Sequence, residues 1–416
     1  MVEVILLQPQ GICSSFTRSK SIYPPLGLCQ LAGSRMNDDI RIKVIDAEAL
    51  FWNEDNARRE IMRWQPKILG LTATTFTLDI VERWAKWAKG VAIKVVVGGP
   101  HATLAPYDLL EKCPSVDYII RGEGEEIFHK VAIKIIEGEI PEMEGICYRQ
   151  GKETICSNSI LHIQKFDGLS FPKMDDLPIE NYWCPDAKSK PMITLMTMRG
   201  CPHKCSFCSS PAIMGKKLRG WPVSQVLDFI TYVVEKLKVR EISFVDDAFT
   251  IDHKRILDLC HGITERKLNF DWFCNARADQ ITEEIALAMK EAGCHQVYLG
   301  FESGSQKILD NIQKGTTVER LLMGGEILKK VKIDRSIGFV IGLPGENETT
   351  IKDSIDLAKR VNPEKLQFTR FTPLPGSPLS NYNLKAGGGF HSQSKDKIGK
   401  WIEEAYSACK NINIAR

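Results

Sequence analysis

The stretch Met198 to Cys208, MRGCPHKCSFC, sets Cys201, Cys205 and Cys208 within eight residues, directly behind an apolar run. Thiols at this spacing serve metal or redox chemistry. A structural zinc ion takes four Cys or His ligands. His203 lies inside the loop, but it is two residues from both Cys201 and Cys205, so wrapping all four around one tetrahedron would be cramped. A redox-active dithiol would use Cys205 and Cys208 and give Cys201 no task. An iron–sulfur cluster employs all three, and a four-iron cluster held by three thiolates keeps one iron open to bind a substrate or a second cofactor.

The rest of the chain must place this loop. Its 416 residues suggest two domains, or one domain plus a barrel. With 26% charged residues and a formal charge of +3, it lacks the field that would draw nucleic acid, and no nucleic-acid partner is expected. The opening MVEVILLQPQG is too short and lacks the basic flank of a signal peptide, so it reads as a buried strand. No apolar window approaches the roughly 18 residues that cross a bilayer. The expectation is a cytoplasmic protein without a transmembrane segment. Cys29, Cys260, Cys294 and Cys409 stand singly in apolar segments and read as core thiols of a reducing compartment.

Residues 1–140 alternate near-continuous apolar runs (Val2–Gln8, Ile40–Asp46, Lys67–Ala73, Lys94–Gly98, Asp117–Arg121) with helical patterns, most clearly Asp79–Lys89. That is a doubly wound, Rossmann-like parallel sheet. Ligands of such sheets sit at the carboxyl ends of the strands. Here those ends read QPQG, TATTFT, GGPHATLAP and RGEGEE. Any one passes for a tight turn; four together favour a binding cleft. Residues 141–190 read as a hairpin-like pair (GICYR, GKETICSN) and a run ILHIQ, followed by a linker laid over the surface.

From Pro191 a second alternation begins. Strands are predicted at Ile193–Met198, Glu241–Val245, Asp271–Asn275, Gln296–Phe301, Asp334–Ile341 and Lys365–Phe371, with helices between them. Six βα repeats over 191–380 make a partial barrel, short of the eight that close a full one. The cysteine loop follows its first strand. A loop and a helix candidate, Lys395–Lys410, occupy 381–416; Ile398, Trp401, Ile402, Ala405 and Cys409 share one side, which suits packing, capping of the barrel or lining of a substrate channel.

CPHKCSFC is similar to the Cys-x-x-x-Cys-x-aromatic-x-Cys motif of the radical S-adenosylmethionine superfamily, with Phe207 in the aromatic place and the loop where that superfamily carries it. The resemblance implies a 4Fe-4S cluster on Cys201, Cys205 and Cys208, S-adenosylmethionine on the open iron, and a 5′-deoxyadenosyl radical. It also implies cofactor contacts at later strand ends: Asp246 and Asp247, Arg277 (offering a carboxylate a bidentate contact), Glu302 and Ser303, and Ile341, Gly342 and Pro344 in IGLPGEN. A helix-capping role for Asp247 stays open beside this.

YPPLGLCQLA, VVVGGPHAT, RGEGEE and the later TPLPGSPL resemble sequences of the members fused to a cobalamin-binding domain, and this resemblance spans about residues 3–380. It implies a cobalamin cleft among Pro9, Gln10, Pro25, Leu26, Gly27, Thr72, Thr74, Gly98, Gly99, Pro100, His101, Gly122, Glu123, Gly124 and Glu125. The Asp-x-His-x-x-Gly loop of carriers that ligate cobalt from below is replaced by QPQGICSSF. His101, the one imidazole at a strand end of this domain, is expected to pack at its turn, leaving cobalt without a histidine beneath. The implied reaction is C-methylation: a substrate carbon loses hydrogen to the radical and takes methyl from methylcobalamin. Ring closure, C–C coupling or oxidation without methyl transfer is an alternative, and a nonenzymatic iron–sulfur sensor a further one. A reductant such as flavodoxin or ferredoxin is expected. The substrate is left open among a peptide or protein side chain, a tetrapyrrole, an isoprenoid lipid and a natural-product precursor. Tyr298, Arg370 and Tyr382 fall near the barrel mouth as candidate substrate contacts or hydrogen donors.

Overall fold

The structure, a computed structural model, describes residues 2–12, 21–34, 40–151, 153–247, 249–381 and 395–412. In the first half, β1 (Val4–Gln8), β2 (Ile42–Asp46), β3 (Ile68–Thr72), β4 (Lys94–Gly98) and β5 (Tyr118–Ile120) pair in parallel in the order β2-β1-β3-β4-β5. Their apolar runs are continuous because both faces are covered. Val4 and Leu6 belong to one core cluster and Ile5 and Leu7 to another. Chain order reverses between β1 and β3, so the ligand crevice is expected over those strands' carboxyl ends.

The hairpin β6 (Ile146–Gln150) and β7 (Glu153–Cys156) does not stand between the domains. It pairs antiparallel onto β5 and extends the first sheet to seven strands. Cys147 and Cys156 oppose each other in its register and form a disulfide that the sequence reading did not single out. The run ILHIQ forms no strand; it touches the sheet through a single parallel bridge between Leu161 and Gly122. Gly122 has φ +89°, and a Cβ there would lie 2.3 Å from the Leu161 carbonyl oxygen. Gly122→Ala therefore breaks this bridge. It should lower stability by more than about 2 kcal/mol, read as a fall in urea midpoint at unchanged slope.

Residues 164–190 depart from the expected surface linker. Phe166, Met174, Leu177, Ile179, Tyr182 and Cys184 are buried. Tyr182 donates its hydroxyl to Asp46 Oδ2 at 2.9 Å, and Ser170 O accepts from Gln30 Nε2 at 2.6 Å. Farther on, the Lys188 and Ser189 amides donate to Glu241 Oε2 inside the barrel. Turn residues hid apolar anchors spaced without helix or strand period, and the segment stitches the two halves together.

The second sheet contains β8 (Met192–Leu195), followed in the chain by the short strands β9 (Met198–Arg199) and β10 (Arg219–Gly220). Its other members are β11 (Glu241–Phe244), β12 (Asp271–Ala276), β13 (Cys294–Glu302), β14 (Asp334–Ile341) and β15 (Lys365–Arg370). The order is β8-β11-β12-β13-β14-β15, all parallel, which is the six-stranded partial barrel. The predicted first strand divides: β8 stops at Leu195, and β9 pairs antiparallel with β10 in a separate ribbon. The helix Lys395–Ala408 packs along β15, where Tyr406 Oη bonds both the amide and the carbonyl of Phe368 and Ile398, Trp401, Ala405 and Cys409 are buried. It covers the edge that an incomplete barrel leaves open. Among the described residues no helix is long and apolar enough to cross a membrane.

Candidate functional site

The ribbon forms the base of the cysteine loop. Arg199 faces Arg219 and Met198 faces Gly220, so everything from Gly200 to Leu218 is one excursion closed at its foot. Gly200 has φ +99°, and a Cβ would lie 2.1 Å from the Lys217 carbonyl oxygen; only glycine lets Cys201 turn in so closely. The Cys201 amide donates to Gly215 O at 3.0 Å, and Ser206 donates to Ile312 O at 2.8 Å. Phe207 packs against the small core of Ile308, Ile312, Leu343 and Phe371, pinning the loop's middle to the barrel. All three thiols are free, with Cys201 buried. Burial raises the Cys201 thiol and pushes Cys208 up to about 11, so metal binding at these thiols must release protons. Arg277 Nη1 lies 3.7 Å from Cys205 Sγ. His203 Nε2 is 3.1 Å from Gln280 Nε2, and among the described residues no three His, Cys, Asp or Glu converge on a point for one metal ion. Three thiols each holding its own iron need no common point.

The other strand ends gather at the same mouth in altered roles. Asp246 Oδ1 accepts from the Thr197 amide at 2.8 Å and from its hydroxyl at 3.1 Å, and also from the Met198 amide; it ties β11 to the loop's entry. Burial pushes its carboxyl up to about 7, and its Oδ2 has no partner among the described residues. Asp247 is exposed. The carboxylate that Arg277 grips is the chain's own: Nε and Nη2 reach Asp279 at 3.0 and 2.8 Å. Glu302 stands at φ +65° and accepts from Lys314 Nζ at 2.7 Å. Ser303 is fully buried, with its hydroxyl 3.3 Å from Ser354 Oγ and accepting from the Ser305 amide at 3.2 Å, so it fixes a turn behind the mouth. Ile341 is buried, Gly342 turns at φ +99°, and Pro344 O accepts from Asn311 Nδ2 at 3.4 Å. Tyr298 lies in the barrel interior, its hydroxyl raised by burial, in space that Gly338 leaves clear: a Cβ at Gly338 would be 1.9 Å from that hydroxyl. Arg370 is exposed at the end of β15, and Tyr382 falls outside the described residues.

In the same Gly-Leu-Pro-Gly-Glu turn, Glu346 accepts from the Gly342 and Leu343 amides at 2.5 and 3.0 Å, and burial pushes its carboxyl up to about 8. The folded chain therefore keeps a proton that the unfolded chain sheds above its ordinary 4.5. The associated stability is present below 4.5 and lost as pH rises through 8. Glu346→Gln should flatten stability against pH between about 5 and 8, a change of a few kcal/mol at about 1.4 kcal/mol per pKa unit, measured as urea midpoints across that range.

Between the two halves lies a cavity of about 330 Å³. Leu26, Gly27, Thr72, Gly98, Gly99, Pro100, Gly122, Glu123, Gly124 and Glu125 line it from the first sheet, as the strand-end reading anticipated. Met196, Arg199, Ile213, Met214 and Trp221 close it from the barrel side. A Cβ at Gly27 would meet nothing within 4 Å, and one at Gly98 only the Ile120 carbonyl at 3.9 Å, so at both positions a ligand can lie directly against the backbone. Pro9, Gln10, Pro25 and Thr74 are not among the lining residues; Thr74 bonds Thr77 within its own turn. His101 is buried beneath, with Nδ1 3.1 Å from Thr75 Oγ1 and Nε2 2.9 Å from Asp108 Oδ2, so both ring nitrogens are committed and its ordinary pKa is lowered by burial.

Glu123 and Glu125 line this floor, yet their carboxylates are held by the barrel. Arg219 meets Glu123 through Nη1 and Nη2, both at 2.8 Å, and Arg199 Nη2 meets Glu125 Oε1 at 2.6 Å. All four side chains are buried. Burial opposes the Arg199 charge, and Glu125 and Glu123 overcome it, holding the guanidinium firmly protonated. Removing one partner from such a set leaves a buried charge at a cost of about 3–5 kcal/mol. Sequence reading missed Arg199 and Arg219 because pairing between segments about 75 to 95 positions apart leaves no local signal.

A doubly wound sheet whose carboxyl edge faces the cysteine loop of a six-stranded partial barrel across one cavity defines an α/β enzyme built around two cofactors. Residues 16–132 match the B12 binding domain family and residues 195–358 the radical SAM superfamily. The chain is 35% identical over 364 residues to the uncharacterized methyltransferase PH0819 of Pyrococcus horikoshii, covering 87% of this chain and 78% of that one. It is 29% identical over 368 residues to the anaerobic magnesium-protoporphyrin IX monomethyl ester cyclase of Rubrivivax gelatinosus, covering 86% of this chain and 66% of the cyclase. Its fold is similar to that of the radical S-adenosylmethionine methyltransferase TsrM from Kitasatospora setae, with a TM-score of 0.75, 16% identity, and coverage of 92% of this chain and 75% of that one. The chain belongs to the radical S-adenosylmethionine enzymes that carry a B12-binding domain ahead of the barrel. Its cofactors are a 4Fe-4S cluster, S-adenosylmethionine and cobalamin.

Proposed function

We propose that this chain is a C-methyltransferase, moving a methyl group to an unactivated carbon of a substrate held between the cobalamin floor and the cysteine loop. The observation that carries this reading is the shared cavity: Gly27 and Gly98 lie on one wall, and Ile213 and Met214, a few residues past Cys208, lie on the other. The likeness to PH0819 supports methyl transfer. When bound, the cluster with S-adenosylmethionine supplies a hydrogen-abstracting radical and cobalamin a transferable methyl group. The chain's own residues do the positioning. Cys201, Cys205 and Cys208 hold the cluster, and Arg277 Nη1, 3.7 Å from Cys205 Sγ, anchors that sulfur's place in the loop. Leu31, Phe128, Met196, Met214 and Trp221 give the chamber an apolar lining that keeps water from a reactive radical and suits a substrate with apolar bulk. Tyr298, inside the barrel, is the candidate hydrogen donor. Radical chemistry of this class requires a reductant, for which we favour a flavodoxin or ferredoxin.

The test is incubation of anaerobically reconstituted, cobalamin-loaded protein with dithionite as reductant, small-molecule extracts and S-adenosylmethionine bearing a deuterated methyl group. The expected result is a metabolite carrying three deuterium atoms. The likeness to the Rubrivivax cyclase favours a second reading, ring closure without methyl transfer. Deoxyadenosine with an extract component consumed and no deuterium gained would select it.

A further inference from the structure

Both ends of the cysteine loop are bolted to the floor of the other cofactor's cavity. Arg199 immediately precedes Gly200 and Cys201, and Arg219 closes the loop opposite it in the ribbon. Each arginine reaches out of the barrel domain into the Gly122–Glu125 turn at the end of β5, Arg199 to Glu125 and Arg219 to Glu123. Arg199 Nη1 also lies 3.6 Å from Glu123 Oε2, so the two pairs form one set. The set is further fixed by the Ile163 amide, which donates to Glu123 Oε2 at 2.6 Å, and by Arg219 Nη2, which donates to Met214 O. Met214, Arg199, Glu123 and Glu125 all line the cavity. The charges balance two against two, and none can move independently, because a displaced partner leaves a buried ion unpaired.

We propose that Glu123, Glu125, Arg199 and Arg219 are positioning residues that couple the two cofactor sites. A corrinoid on the cavity floor then tightens the loop's hold on its cluster, and the assembled cluster tightens the corrinoid. The coupling rests on the assignment of cobalamin to this cavity and of the cluster to these cysteines. The physical path is short: a ligand that orders the Gly122–Glu125 turn orders the carboxylates, and these fix both feet of the loop. Thermodynamic linkage requires the effect to be equal in both directions.

The experiment is anaerobic titration of the full chain with hydroxocobalamin, followed by visible absorbance, before and after cluster reconstitution. It is run for the wild type, Glu125→Gln and Arg219→Lys, with thermal unfolding recorded for each. The wild type should bind hydroxocobalamin about 5- to 150-fold more tightly with the cluster in place, the span typical of coupled sites. The variants should bind it with nearly the same affinity in both states. In the reverse direction, cobalamin should slow cluster loss to a chelator in the wild type and not in the variants. Equal affinities in the two states of the wild type, or full coupling in a folded variant, would overturn the proposal while leaving the cofactor assignment standing. If a variant fails to fold, the wild-type comparison and the other variant still decide. Absence of hydroxocobalamin binding in every state would remove the assignment and the coupling with it.

Discussion

Cys205→Ala should yield a folded protein that reconstitutes without the cluster's visible absorbance and forms no deoxyadenosine above background. Cys205 is partly exposed and its backbone partner within the loop is local: its carbonyl accepts from the Cys208 amide at 3.1 Å. Removing the thiol therefore disturbs little of the core. In the proposed assignment the thiol is one of three ligands on four irons, and a cluster deprived of one would have no replacement in His203, which is turned toward Gln280. The loss should far exceed the roughly 10- to 100-fold typical of removing a partner behind a metal ligand. Iron content and single-turnover deoxyadenosine by mass spectrometry check it. Retained deoxyadenosine would remove Cys205 from the cluster's ligands.

Gly27→Leu should separate the two cofactors. Gly27 is the second residue of the helix Leu26–Gly33 and lines the cavity, and its missing Cβ faces open space, so the backbone accepts a side chain there. Leucine also favours helix by about 1 kcal/mol over glycine, so stability should hold or rise slightly. Its isobutyl group would nevertheless occupy the floor. Hydroxocobalamin affinity should fall about 100-fold or more, equivalent to about 2.7 kcal/mol, while reconstituted iron and uncoupled deoxyadenosine formation persist. Bound corrinoid at wild-type affinity would move cobalamin away from this cavity.

Periodicity made the architecture readable. Lys94–Gly98 and Asp334–Ile341 fall where the structure has them because strands buried on both faces write unbroken apolar runs. The cysteine spacing was equally readable, since local geometry alone links Cys201, Cys205 and Cys208 to one loop. What escaped was long-range. RGEGEE reads as a ligand loop, yet Glu123 and Glu125 answer arginines far along the chain. Ser303 and Arg277 have polar side chains at strand ends, and the structure turns one inward to Ser354 and the other onto Asp279. Residues 164–190 carry their contacts in single anchors such as Tyr182, which no period announces.

That stitching segment also bears on how the chain is made. Asp46, at the end of the second strand, is buried, with its carboxyl pushed up to about 6 mainly by burial, and one of its hydrogen-bond donors is Tyr182. Asn181 donates to Ala49 O, the Lys173 amide to Cys29 O, and Ile22 pairs with Trp183. During synthesis from the amino terminus, the first sheet thus leaves the ribosome with a gap along one flank. The gap closes once residues 164–190 have emerged, so the first domain can be completed while most of the barrel is still to be translated.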